Sequence, residues 1–507
     1  MMRAMSGFFG RVMAEAPRVR MMVAATAMSE LLILAGCMQT VSGPPASTAT
    51  GMSAYRPSAG ESAFLDTLAR RTFDFFWQTT NPQNGLTPDR WPAKSFSSVA
   101  AVGFALTAYP IGVERGWVAR AAARERVLTT LRFFWTAPQG PEPTGVTGYH
   151  GFFYHFLDME TGRRFDRVEL STIDTALLLA GALTCRQYFD RDDAGDREVR
   201  ALADSLYARV DWRWASDGET LVNMGWRPDA AANQNTRGFN ISSWRGYDEG
   251  MLLYVLALGS PTHAIDASAW TEWTRTYKWD RFQGQDYVQF APLFGHQYSH
   301  VWIDFRNVQD SYMRSRGIDY FENSRRATLA HRAYAMANPS AWRGYGANAW
   351  GLSASDGPLD STFSIEGRPR TFHTYWARGV GTVEMNDDGT IVPAAAAGSI
   401  PFAPEIAVLA LASMRRTYGD ALFGQYGFVD AFNPTLRTPG PPLHHGRIVA
   451  GLSWFDTDYL GIDQGPILAM TENWRSELVW KLMHGNTDVV RGMCRAGFTG
   501  GWLAGRC

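Results

Sequence analysis

Helical segments of two kinds alternate along most of this chain, and that alternation limits what it can fold into. "SAFLDTLARRTFDFFWQTT" (62–80) places Leu65, Leu68, Thr72, Phe75 and Phe76 at helical spacing with the charges opposite, so it buries one stripe. "SSVAAVGFALTAYPIG" (97–112), which follows, is apolar on every side and must be surrounded. "WVARAAARERVLTTLRFFW" is amphipathic, "LSTIDTALLLAGALTCRQYF" apolar, "DREVRALADSLYARVDW" amphipathic, and "SSWRGYDEGMLLYVLALGSPTH" (242–263) apolar again. The pattern continues less cleanly through "DASAWTEWTRTYK", "SHVWIDFRNVQDSYM", "ENSRRATLAHRAYAMANP", "PFAPEIAVLALASMRRTYG" and "PILAMTENWRSELVWKLMH". About twelve helices in roughly six outer–inner pairs predict two concentric layers. The expected fold is therefore all-α, an (α/α)6 toroid or barrel with long loops and minor β-hairpins. "GETLVNMGW" and "GTIVPAAA" are the best hairpin candidates. No fixed sequence period marks a solenoid.

The ends of the chain carry other signals. Arg18 and Arg20 precede "MMVAATAMSELLILAGC", which is too short to span a bilayer and ends in small residues at Cys37. "LAGC" resembles a bacterial lipobox, which makes 1–37 a lipoprotein-type signal with Cys37 the lipidated residue. Residues 38–61 form a small-residue and proline tether, 62–498 the main domain and 499–507 a C-terminal tail. The expected location is periplasmic, anchored to the outer membrane by lipid. In that oxidising compartment Cys494 and Cys507 can pair, while Cys185 in an apolar helix reads as a buried thiol. A net charge of −1 over 507 residues, without a basic run, argues against a nucleic-acid partner. The 19 Trp and 19 Tyr suit both a core and a surface that stacks on sugar rings.

Acids recur where apolar helices begin. "RFDRVELSTIDTALLL" brings Asp166, Glu169 and Asp174 to one helix start, "RGYDEGMLLY" brings Asp248 and Glu249 to another, and "GIDQGP" brings Asp463 to a third. Singly, each acid reads as a helix cap or an Arg partner. Together, beside Trp and Tyr, they match the needs of glycoside hydrolysis, where one carboxylic acid protonates the leaving oxygen and another activates water or attacks. An inverting pair stands roughly 6.5–9.5 Å apart, a retaining pair about 5 Å. Around the acids, Trp244, Arg245, Tyr247, His296, Tyr298, His300, Trp302, Asp304, Glu472, Asn473 and Arg475 are candidate sugar contacts. "GLSASDG" and "GLSWFD" lack the second glycine of a nucleophile elbow. His296 and His300 share i, i+4 spacing but lack a third ligand, and "NDDGT" reads as a turn rather than a calcium loop. No metal or cofactor is expected.

Seven stretches in order, "YDEGMLLYVLALGSPTH", "LFGHQYSHVWIDFRNVQDSYM", "DYFENSRRATLAHRAYA", "WGLSASDGP", "PAAAAGSIPFAPE", "YGFVDAFN" and "GIDQGPILAMTENWRSELVWKL", resemble the glucoamylase-like domain of glycoside hydrolase family 144. The resemblance runs from Phe64 to Phe498. It implies an (α/α)6 barrel and metal-independent hydrolysis of β-1,2-glucan, endo or exo, with inversion. It also implies that Glu249 is the essential acid. For the base, Asp463 stands first by analogy with related β-1,2-glucanase barrels, with Asp166, Glu169 and Asp174 as rivals. The segment 217–238 is long enough to close one end of a groove, as an exo enzyme requires. Two other classes fit the aromatic mouth: a transglycosylase on the same glucan, and a glycan-binding lipoprotein that needs no paired acids. A polysaccharide lyase would need a basic subsite, which the sequence lacks.

Overall fold

Ser58 opens the first helix with a capping box, its hydroxyl accepting the Glu61 N–H while the Glu61 carboxylate accepts the Ser58 N–H. The computed structural model describes residues 54–230, 237–240, 242–438 and 442–507. The signal with Cys37, the tether up to 53 and positions 231–236 of the 217–238 segment lie outside the described residues. The last residues of the expected tether already belong to the first helix.

Twelve helices carry the layers: α1 (Ala59–Thr79), α2 (Val99–Glu114), α3 (Arg120–Thr136), α4 (Thr172–Tyr188), α5 (Ala194–Arg209), α6 (Met251–Gly259), α7 (Ser268–Thr274), α8 (Tyr298–Trp302), α9 (Tyr320–Ala337), α10 (Pro393–Gly398), α11 (Pro404–Tyr418) and α12 (Gly461–Ser476). The even-numbered ones are the apolar set. Every residue of α6 and α10 is buried, as is α2 from Val99 to Gly112. In space α2 packs on α4, α4 on α6, α6 on α8, α8 on α12, and α12 back on α2. The sixth, α10, packs on α12 and on the turn Leu293–His296 that leads into α8. The amphipathic α1, α3, α5 and α11 lie outside them, with α3 and α5 joined by Arg120 and Arg124 to Asp196.

The α2–α4 contact is backbone against backbone. A β-carbon on Gly181 would sit 2.1 Å from the Gly103 carbonyl oxygen, and one on Gly103 would sit 2.2 Å from that of Leu177. Only glycine permits that approach.

Several sequence expectations need correction. The apolar stretch 242–263 yields a helix of nine residues, because residues 242–250 form a bridge and turns ahead of it. "SHVWIDFRNVQDSYM" stops being helical at Trp302 and resumes at Ser311–Arg316. The segment 466–484 breaks at Glu477, whose left-handed φ of 59° separates α12 from α13 (Leu478–His484). "GTIVPAAA" is no hairpin: Ile391 bridges Phe432, and Pro393 starts α10. "GETLVNMGW" contributes one strand, Gly225–Trp226, to a sheet of four. The longest hairpins among the described residues are Trp279–Phe282 with Gln285–Val288, and Ser361–Ile365 with Arg368–Phe372. Cys494 and Cys507 are bonded, and Cys185 is a buried thiol.

Candidate active site

The N-terminal ends of α4, α6 and α12 hold the acids, and short strands fix what surrounds them. The strand Leu170–Ser171 runs straight into α4 and pairs with Phe152–Tyr154 on one side and Gly225–Trp226 on the other. That register sets His155 opposite Glu169, with the His155 N–H donating to the Glu169 carbonyl. Their side chains meet as well: Nδ1 of His155 lies 3.0 Å from the Glu169 carboxylate, and Nε2 lies 3.7 Å from Asp174. Arg227 grips the other Glu169 oxygen at 2.8 Å. Burial opposes charge on Glu169, but His155 and Arg227 overcome it and hold the carboxyl down at about 2. Burial likewise opposes charge on His155, yet Asp174, Glu169 and Asp89 lift it to about 9. Asp174, buried and hydrogen-bonded to its own cap Ser171, is raised by burial.

Glu249 lies just before α6 and is buried. Desolvation pushes its carboxyl well above the usual range, and the neighbouring Asp248 and Asp174 push it further. Asp248 does not cap α6 directly. Its carboxylate accepts the N–H of Gly250, the residue preceding the helix, at 2.8 Å. Burial raises Asp248 to about 7. Trp244 packs beneath this turn and ties it to α4 by donating from Nε1 to the Thr172 hydroxyl at 2.9 Å.

The third group surrounds Asp463. The strand Tyr459–Leu460 pairs with Arg90–Trp91, and Gly461 donates to the Asp89 carbonyl, so Asp89 and Arg90 are fixed beside the start of α12. Asp463 is buried in the first turn of that helix. Its carboxyl and that of Asp430 act on one another, and burial raises both. Asp430 also accepts the backbone N–H of Asp356 at 2.7 Å. Arg90 binds Asp356 at 2.5 Å and Asp89 at 3.2 Å. Burial raises Asp463 to about 7, and burial with Asp463, Asp356 and Asp456 raises Asp430 well above the usual carboxylate range. Tyr298 links the groups: apart from burial, Asp463, Tyr375 and Glu249 act most strongly on its hydroxyl.

Asp166 does not join them. It is exposed in the turn before Glu169. The candidate sugar contacts separate by position on the helices. Tyr298 belongs to the mouth. Arg245 points outward to Glu272 on α7 at 2.8 Å. Tyr247 stacks on Tyr320 within the wall. His296 donates from Nε2 to the Phe290 carbonyl, His300 shares a hydrogen bond with the Ser324 hydroxyl, and burial lowers them to about 4 and about 3. Trp302 donates to Thr107 inside the core. Glu472, Asn473 and Arg475 lie at the other end of α12, about 13–18 Å from Asp463 along the axis at roughly 1.5 Å per residue. There Glu472 binds Arg115, Asn473 holds the Val301 carbonyl and the α13 N–H groups, and Arg475 binds Asp66. Asp304 is locked to Arg306 and His484. These residues hold the frame rather than the mouth.

Residues missed in the sequence are Asp89, Arg90, His155, Asp356, Tyr375, Arg378, Asp430 and Asp456. Two of these acids, Asp356 and Asp456, sit in "GLSASDG" and "GLSWFD", stretches without the second glycine of a nucleophile elbow. The recurring signal is an Asp within an aromatic loop next to a two-residue strand. The "NDDGT" turn is satisfied by protein: Asp387 accepts from Tyr334, Trp342 and Tyr345, and Asp388 binds Arg378.

Residues 242–487 match the family model Glycoamylase, described as "Putative glucoamylase". A Bacteroides uniformis protein whose crystal structure carries that same description is 30% identical, with a TM-score of 0.74 over 89% of this chain and 100% of that one. The endo-β-1,2-glucanase of Chitinophaga pinensis, solved with sophorotriose and glucose, is 27% identical, with a TM-score of 0.73 over 88% of this chain and 100% of that one. The exo-β-1,2-glucooligosaccharide sophorohydrolase (non-reducing end) of Parabacteroides distasonis is 27% identical over 462 residues, 85% of this chain. The chain spans 57% of the length of that curated relative.

Proposed function

The chain belongs to the glucoamylase-like family, of the glycoside hydrolase family 144 type, and from that membership we propose that it hydrolyses β-1,2-glucan with inversion at the anomeric carbon. Glu249 is the general acid and Asp463 the general base. One observation carries the assignment. A buried Glu249, its carboxyl pushed well above the usual range by desolvation, and a buried Asp463, raised to about 7, both act on the hydroxyl of Tyr298. Glu249 gives its proton to the glycosidic oxygen as the bond to the anomeric carbon breaks. Ionised Asp463 takes a proton from the attacking water, directly or through a relay. Of the rival bases, Glu169 is occupied by His155 and Arg227, and Asp174 by Ser171 and His155.

Two further parts of the proposal concern the frame. The closed contact order of the even-numbered helices, with amphipathic helices outside, supports an (α/α)6 toroid. The Cys494–Cys507 bond supports export to an oxidising compartment, with Cys37 as the lipidated residue. Cys37→Ser is then expected to move the protein from the membrane fraction to the soluble fraction of cells.

The decisive measurement is release of reducing sugar from linear β-1,2-glucan. Wild type releases it, and Glu249→Gln loses at least about 100-fold in rate while keeping its fold by circular dichroism. Binding of the glucan without turnover by wild type would leave a glycan-binding protein instead. Product sizes over time separate endo from exo action, and chain lengthening would mark a transglycosylase.

A further inference from the structure

Three buried acids come together from loops far apart in the chain. Asp356 follows the strand Ala354–Ser355, Asp430 lies between Gly427–Phe428 and Phe432–Asn433, and Asp456 follows Trp454–Phe455. Backbone donors lock these loops to one another. The Asp456 N–H donates to the Ala431 carbonyl at 2.9 Å, the Asp430 N–H to the Asp458 carbonyl at 2.9 Å, and the Asp356 N–H to Asp430 Oδ2 at 2.7 Å. The three carboxylates are thereby brought to one place, with an oxygen of each within 4.8 Å of the others. None of the three residues is more than 2% exposed. In each, the protein satisfies one oxygen: Arg90 takes Asp356 Oδ2, the Asp356 N–H takes Asp430 Oδ2, and the N–H groups of Thr457 and Asp458 take Asp456 Oδ1. The second oxygens, Asp356 Oδ1, Asp430 Oδ1 and Asp456 Oδ2, are buried and receive no donor from the described residues. Among those residues ion pairs reach Asp356, from Arg90 and from His445 at 3.6 Å, but not Asp430 or Asp456, and Arg378 is engaged by Asp388.

Buried carboxylate oxygens without partners are strongly unfavourable, and three that converge are more so. Hydroxyl donors, those of a sugar included, fill lone pairs but leave the charge. A divalent cation offsets both. The donors are hard oxygens only, and their spacing lets one ion touch all three at about 2.3–2.6 Å, the range of calcium, which takes about six to eight such ligands. We propose that Asp356, Asp430 and Asp456 form a calcium site that ties their three loops together. The backbone bonds between the loops hold the ligands in place before the ion arrives. This site does not rest on the reading of Asp463 as the base.

Calcium chloride at about 10 mM, added to the full chain after chelator treatment, is expected to raise Tm by at least about 2 °C, and chelator should reverse the rise. Asp430→Asn and Asp456→Asn should each lose most of that response and weaken calcium binding in titration calorimetry at least about 10-fold. Asp360→Asn removes an exposed acid outside the cluster and should keep the response. The reading is the response to calcium, not Tm itself, because loss of a crowded charge changes stability on its own. A Tm unmoved by calcium, with no heat of binding, overturns the proposal. So does a response that D430N and D456N retain, which would put the ion elsewhere. A rise in Tm with a β-1,2-linked glucose oligosaccharide but not with calcium, lost in D456N, would give the free oxygens to the sugar and also overturn it. An anomalous-difference map of crystals grown with calcium locates the ion without any variant: density between the three carboxylates supports the site, and none there sinks it. A calcium response in a protein that leaves β-1,2-glucan intact supports the site and sinks only the proposed activity.

Discussion

Asp248 and Glu249 are neighbours in the chain with different work, and the backbone separates them. Asp248 is spent on the N–H of Gly250, while burial raises Glu249 and Asp248 and Asp174 add to that rise. The pH dependence of the reaction follows. Asp463 must be ionised to act as base, so kcat/KM is expected to rise with pH through about 7. Glu249 must be protonated to act as acid, so the rate falls again at higher pH as that proton is lost. An acid limb lying near pH 4 would contradict the raised Asp463. Stability carries the opposite sign to the base's activity. Folding lifts the Asp463 carboxyl from its ordinary 3.8 to about 7, so its contribution to stability is full below about 4 and lost as pH rises through 7. Asp463→Asn should therefore raise Tm at pH 8, by roughly 2 °C or more, and change it little at pH 4. These acids were legible in the sequence because they stand at the starts of apolar helices. Asp430, Asp356 and Asp89 were not, since a loop Asp beside an aromatic residue has no periodicity to reveal its neighbours.

Elements explain which expectations held and which did not. An apolar run shows that a segment is buried, but it does not show where the helix starts. Stretches containing α6 and α8 therefore looked longer than the helices they form. Nor does it show which end of a helix faces the mouth. Glu472, Asn473 and Arg475 were grouped with Asp463 because they share α12, yet the helix rise carries them to the opposite end. Glu472→Gln should accordingly weaken the tie to Arg115 and lower stability by about 1 kcal/mol or more, while kcat/KM stays within about twofold of wild type. The pairing of α2 with α4 makes a stronger demand. Gly181→Ala adds a β-carbon against a carbonyl that belongs to another rigid helix and has no side-chain freedom to yield. Alanine's helix propensity offsets at most about 1 kcal/mol, and overpacking costs about 1–3 kcal/mol, more where the obstacle is backbone. A lower urea midpoint with an unchanged m-value is the expected result, and an unchanged midpoint would mean the two helices are not held that closely.

At the scale of the whole molecule, the sequence-distant ends build one site. α12 closes on α2, Tyr459–Leu460 pairs with Arg90–Trp91, and Gly461 bonds to Asp89. Asp463 and the Asp89–Arg90 segment beside it thus come from opposite ends of the described chain, while Glu249 enters from the middle. Such a closure cannot be read from local pattern, which gives layers but not which helices touch; only the resemblance to a known barrel supplied it. It has a consequence for folding. The apolar faces of α2 and α1 are covered by α12, so a chain ending before Gly461 exposes them and loses the strand that fixes Arg90. A truncation at residue 438 is expected to be aggregated or unfolded rather than a folded domain lacking only its base. The compact unit Thr50–Cys507 predicts that loss of far-ultraviolet ellipticity and loss of the proposed hydrolysis follow one thermal transition. A fragment 54–438 that is monomeric and melts cooperatively would instead place the folding unit within the first part of the chain and make α12 an addition to it.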